Sequence, residues 1–158
     1  MQNETIFAFV TFLHDLFTVI WIGGLFTLGL IVLPTARQVF GPGPDTKRLM
    51  ASIQKRLSKF IYVSIVGLIV TGVLLSRSSP SFQGLFSFAN SYSTALGLKH
   101  IAVIAMIIIM LYRSLVLGRK KSPLTPSQEK LSVALLFANL VLGIVVLLLS
   151  GFTAAMGI

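Results

Sequence analysis

Four long apolar runs separated by short polar segments make up this chain, and they lie approximately over residues 5–33, 60–76, 95–117 and 131–156. A helix needs about 20 mostly apolar residues, each rising about 1.5 Å, to cross a bilayer. The pattern therefore predicts an all-α membrane protein: a single four-helix transmembrane bundle covering 1–158, with basic loops at 34–59 and 118–130. The first run follows acidic Glu4 rather than a basic segment and is too long for the apolar part of a signal peptide, so it is expected to stay in the mature protein. Gly41-Pro42-Gly43-Pro44-Asp45 forbids a continuous helix between the first two runs, and Asp45 can cap the next one, near Thr46. The turns that follow set Lys47, Arg48, Lys55, Arg56 and Lys59 around Leu49, Ile53 and Leu57, as in an amphipathic stretch rising from an anionic lipid surface. Thr125-Pro126-Ser127-Gln128 has the spacing of a capping box with proline at the first helical position, so the fourth helix should begin there.

Composition agrees. The chain is 55% hydrophobic and 11% charged, which leaves too little polar surface to cover a soluble globule. A net charge of +9 would ordinarily suggest nucleic acid, yet the cations fall between the apolar runs. Eleven of the 13 Lys and Arg flank the loops after the first and third runs: Arg37, Lys47, Arg48, Lys55, Arg56, Lys59, Arg113, Arg119, Lys120, Lys121 and Lys130. Only Arg77 and Lys99 fall elsewhere. Positively charged loops stay in the cytoplasm. The two basic loops are therefore expected inside, and the N-terminus, the Arg77–Thr94 loop and the C-terminus outside, in a multi-pass protein of the cell (inner, cytoplasmic) membrane. Phe82, Phe86, Phe88 and Tyr92 suit an outer loop lying among the headgroups. With no cysteine, disulfides and thiolate chemistry are excluded.

Ionisable side chains inside a bilayer cost several kcal/mol and mark function by default. Four qualify: His14, Asp15, Lys99 and His100. At about 1.5 Å per residue, His14 lies roughly 14 Å deep and the Lys99-His100 pair roughly 6–8 Å, all in the outer leaflet. Thr11, Asp15 and Thr18 join Glu4 in a polar stripe on the first helix, expected to face the bundle or a wet cavity, with His14 and Trp21 along its edge. On the third helix Lys99, Met106, Met110 and Arg113 share a face, with His100 on its shoulder. One reading is structural: Asp15 and Lys99 form an ion pair and the histidines are hydrogen-bonded packing residues. The other is that His14 and His100 ligate something between them, since imidazole is a common haem ligand and bundle cores hold cofactors. Trp21 fits either the core or a cofactor contact, and Met106 could be packing or a soft copper ligand. Arg113 sits where snorkelling would account for it. No hydrolase or phosphate-loop motif occurs, and an oxidoreductase activity stays open.

The segment from His14-Asp15-Leu16-Phe17 through Trp21-Ile22-Gly23-Gly24-Leu25, followed by Leu33-Pro34 and Arg37, resembles the first helix of the copper resistance protein D domain family. The similarity continues through Arg56-Leu57-Ser58-Lys59-Phe60, Val70-Thr71-Gly72-Val73, Tyr92, Leu98-Lys99 and Arg113. The His14…Trp21-x-Gly23-Gly24 pattern and Lys99 are also similar to the four-helix, haem-binding bacterial protoporphyrinogen oxidases. The first resemblance implies copper uptake across the inner membrane, and the second implies a haem-dependent reaction that uses His14 and Lys99. Arg113 stands where the oxidase pattern would have a further histidine, and His100 matches neither pattern. The expectations are thus a b-type haem protein in electron transfer, a copper-handling protein, or a ligand-free structural subunit. In the haem case His14, His100 or both hold the iron, Lys99 or Arg77 pair with the propionates, and a quinone or another redox protein exchanges electrons. The lipid bilayer is the expected surroundings in every case, with nucleic acid excluded.

Overall fold

The computed structural model describes residues 2–80, 82–118 and 124–156; Arg119, Lys120 and Lys121 of the second basic loop lie outside them. Four helices are long and apolar enough to cross a membrane: α1 Glu4–Phe40, α2 Pro44–Ser78, α3 Ser91–Leu117 and α4 Pro126–Met156. The chain is an all-α four-helix membrane bundle. Among the described residues there is no strand.

Helix α1 runs on past residue 33, where the apolar run suggested a loop. Pro34 removes one backbone donor and its ring presses on the carbonyl four residues earlier, which ordinarily breaks a helix. Here the turn before it, Thr27–Val32, widens to π geometry, with the Leu33 amide donating to the Leu28 carbonyl five residues back. The wider turn makes room for the ring while keeping backbone groups paired, which a bilayer demands. The helix ends at Gly41, whose φ of +70° suits glycine. In the Gly-Pro turn the buried Thr46 hydroxyl reaches the carbonyls of Gly41 (2.6 Å) and Ala36 (3.0 Å), tying α1 to α2. Gly43 holds the cap position, Pro44 opens α2, and Asp45 stands in its first turn rather than at the cap.

Helix α3 begins at Ser91, a turn before its apolar run, because the Asn90 side chain accepts the Ser93 amide at 2.7 Å. Asn90→Ala should cost about 1 kcal/mol and fray that turn, measured as faster amide exchange over residues 91–94. At the start of α4 the expected capping box is present and reciprocal: Gln128 N donates to Thr125 Oγ1 at 3.3 Å, and Thr125 N to Gln128 Oε1 at 3.2 Å. An exposed ion pair, Lys47 with Glu129, links the first turns of α2 and α4.

Backbones pack in the order α2–α1–α4–α3. Glycines set the approaches: a Cβ on Gly67 would fall inside the Phe17 ring, one on Gly24 would touch Leu57, and one on Gly143 would lie 3.3 Å from Ile22 and 3.7 Å from Met106. Small residues at such crossings let helices gain dispersion contacts, the main source of association in lipid. The fourth side of the ring, between α2 and α3, is closed by side chains: Tyr62 Oη donates to Ser114 Oγ at 3.0 Å, and Arg113 Nη2 to Gln54 Oε1 at 3.4 Å. Trp21, Leu25, Ile61, Ile65, Met106, Met110 and Leu136 fill the centre. Outward stand Phe9, Val19, Val63, Val66, Ile108 and Leu148, apolar and exposed, as a lipid-facing surface requires.

Candidate functional site

Antiparallel packing fixes which residues share a level. Phe17 lies on Gly67, so His14, a turn earlier on α1, meets α2 a turn later, at Thr71 and Gly72. His14 Nδ1 and Thr71 Oγ1 are 2.9 Å apart. The Thr71 hydroxyl has a single hydrogen, and it is donated to the Gly67 carbonyl at 2.7 Å. With that hydrogen on Gly67, Thr71 accepts from His14 Nδ1, the arrangement that leaves the lone pair on Nε2. Gly72 presents no side chain to the ring; a Cβ there would stand 3.4 Å from Cε1. Threonine 71 itself is buried, so water does not compete for this bond. The Thr71 hydroxyl thus sits between the Gly67 carbonyl and His14 Nδ1 and holds the imidazole in one orientation.

Lys99 and Asp15 are the charged neighbours of His14. Among the described residues Asp15 and Lys99 form no direct ion pair, and they act on one another at longer range. Lys99 is half-buried on the face of α3 that carries Met106, Met110 and Arg113; all three of these are buried, Arg113 included, where snorkelling was the expectation. The threonines of the α1 polar stripe bond within their own helix, Thr11 to Phe7 O (2.9 Å) and Thr18 to His14 O (2.8 Å), and Asp15 is exposed. His100 turns toward the loop before α3, its ring 5.8 Å from that of Phe86 and tilted by 56°. The structure thus brings Lys99 to His14 and sets His100 against an aromatic instead. Among the described residues no three His, Asp or Glu side chains gather as a metal cluster. Arg77 is exposed in the last turn of α2.

Trp21 lies two turns beyond His14 in a π-helical stretch, Val19–Gly23, and is 2% exposed with its Nε1 unpaired. It lies at the level of Ser64, whose buried hydroxyl also has no partner, and of Met106, fully buried against Gly143. Sequence reasoning missed the Gly67…Thr71-Gly72 segment as a feature of the site, meeting the last two only through a family resemblance. The signal that could have found it is the spacing: a threonine four residues after a glycine can bond that glycine's carbonyl and offer its lone pairs sideways. No family model matches this chain, and no curated protein and no solved structure matches it either.

Proposed function

We propose that this chain is a membrane-embedded b-type haem protein with a redox role, in which His14 ligates the iron through Nε2. The observation that supports it is the contact of His14 Nδ1 with Thr71 Oγ1: a ligating histidine usually donates its other ring N–H to an oxygen that sets its orientation, and Thr71, with its own hydrogen on Gly67, suits that part. Porphyrin fills four positions of its iron, so one poised imidazole is enough; a bare copper ion needs several protein donors. The donor set at His14 fits haem on that count. The similarity of the first-helix motif and of Lys99 to haem-binding four-helix oxidases points the same way. Bound haem would supply one-electron exchange. This chain's own residues would hold and orient it: Thr71 and Gly67 would fix the ring of His14, Gly72 would keep its edge clear, and the Lys99 ammonium would be the cation available for a propionate. By the positive-inside reading the site lies in the outer half of the cell membrane, within reach of a quinone or of a redox protein at the outer face.

Haem titration of the apoprotein, followed in the Soret region, tests this. The wild type should saturate at one haem per chain. Thr71→Val keeps the shape of the side chain and removes the acceptor, so affinity should fall about 10–100-fold with the fold intact. Equal affinity in both proteins, or saturable copper binding without haem binding, would overturn the assignment.

A further inference from the structure

Arg113 is 7% exposed, and its Nε is buried without a hydrogen-bond partner. Its hydrogen bond to Gln54 is a long one, Nη2 to Oε1 at 3.4 Å. The chain has four acidic residues, Glu4, Asp15, Asp45 and Glu129. Two lie in the first half of α1, toward the opposite end of the bundle, and Glu129 is held by Lys47. Asp45 is nine residues before Gln54 on α2, roughly 13 Å along the helix at about 1.5 Å per residue. The guanidinium therefore has no carboxylate. A buried cation without an anion is costly, and no carboxylate among the described residues offsets that cost.

The surroundings are those of an anion receptor. Arg113 falls in the π-helical stretch Tyr112–Leu117, where the Gly118 amide donates to its carbonyl five residues back at 2.9 Å, so the local helix is widened. Facing it across the side-chain-bridged seam, α2 supplies the Gln54 amide and the Tyr62 hydroxyl, which is 3.0 Å from Ser114 Oγ. Lys55, Arg56 and Lys59 are exposed on the same stretch of α2, between Gln54 and Tyr62, and mark the level at which lipid headgroups stand. We propose that Arg113, with Gln54 and Tyr62, binds a phosphate group at the basic end of the bundle, presented by the headgroup of an anionic phospholipid lodged in the α2/α3 seam. The guanidinium fork matches two phosphate oxygens. The long Gln54 contact is weak enough to yield to them. Val63 of α2 and Leu111 of α3 are exposed apolar surface available to acyl chains. The site is separate from His14 and stands whether or not iron is bound there.

Thermal unfolding of the purified full chain in neutral detergent, with added phosphatidylglycerol, phosphatidylcholine or inorganic phosphate, tests it. A ligand that binds only the folded state raises the melting temperature with its concentration. Phosphatidylglycerol should do so saturably and phosphatidylcholine should not. Arg113→Lys keeps the charge and loses the fork, and should weaken the apparent affinity about tenfold. Gln54→Glu gives Arg113 a carboxylate of its own; it should raise the melting temperature without lipid and abolish the response to phosphatidylglycerol. This second variant keeps the test decisive should the first fold poorly. A response to inorganic phosphate that Gln54→Glu removes would support the phosphate site and assign its source to solution. Equal responses in the wild type and both variants, or none to either anion, would overturn the proposal.

Discussion

His14→Ala is expected to yield a folded four-helix protein that retains less than a tenth of the haem bound by the wild type. The residue is only half-buried, and its side chain touches α2 at Thr71 and Gly72, so the fold loses one hydrogen bond worth about 1 kcal/mol. On the proposed reading, haem iron would lose far more, its protein ligand. Haem content per chain, measured after denaturing extraction, should collapse while the melting temperature of the apoprotein moves by only a few degrees. His100→Ala provides the contrast. Its ring stands against Phe86 rather than beside His14, so removing it should leave haem content near the wild-type value. Loss in both variants alike would mean that both imidazoles are ligands, and retention in both would remove iron ligation from the account.

The second large effect is expected at Gly67, where the fold and the site meet. A methyl group there would stand 2.2–2.6 Å from three atoms of the Phe17 ring, well inside contact distance. Either the ring leaves its place or α1 and α2 separate, and overpacking of this kind costs about 1–3 kcal/mol. Gly67→Ala should therefore lower the melting temperature. It should also weaken haem binding, because the Gly67 carbonyl that takes the Thr71 hydroxyl proton moves with the backbone. Gly23→Ala is the control. A Cβ there meets nothing closer than Val19 at 3.9 Å, so that change should leave both quantities near wild type.

Much of the architecture was legible in the pattern of apolar runs, because a bilayer imposes one rule on every span: length, low charge and paired backbone. The capping box at Thr125 and the shared face of Met106, Met110 and Arg113 on α3 followed from local spacing alone; the burial of Arg113 did not. What escaped was decided by something beyond a single helix. Pro34 reads as a helix end, and only the compensating π turn at Thr27–Val32 carries α1 past it. Asn90 caps α3 before the apolar run starts. The partners of His14 and Arg113 are on α2, 57 and 59 residues away in sequence, and periodicity does not reveal a register between helices. Two histidines on different helices in the outer leaflet suggested a shared ligand. Helix rotation instead turned His14 toward Thr71 and His100 toward Phe86.

The central claim is that a single oriented imidazole in this bundle holds haem iron. The absorption spectrum of the intact protein, purified from haem-replete cells in mild detergent, tests it most directly. The account predicts a red protein with a Soret band that shifts on reduction by dithionite, at a stoichiometry near one haem per chain. A colourless preparation, with copper or no metal bound, would contradict it.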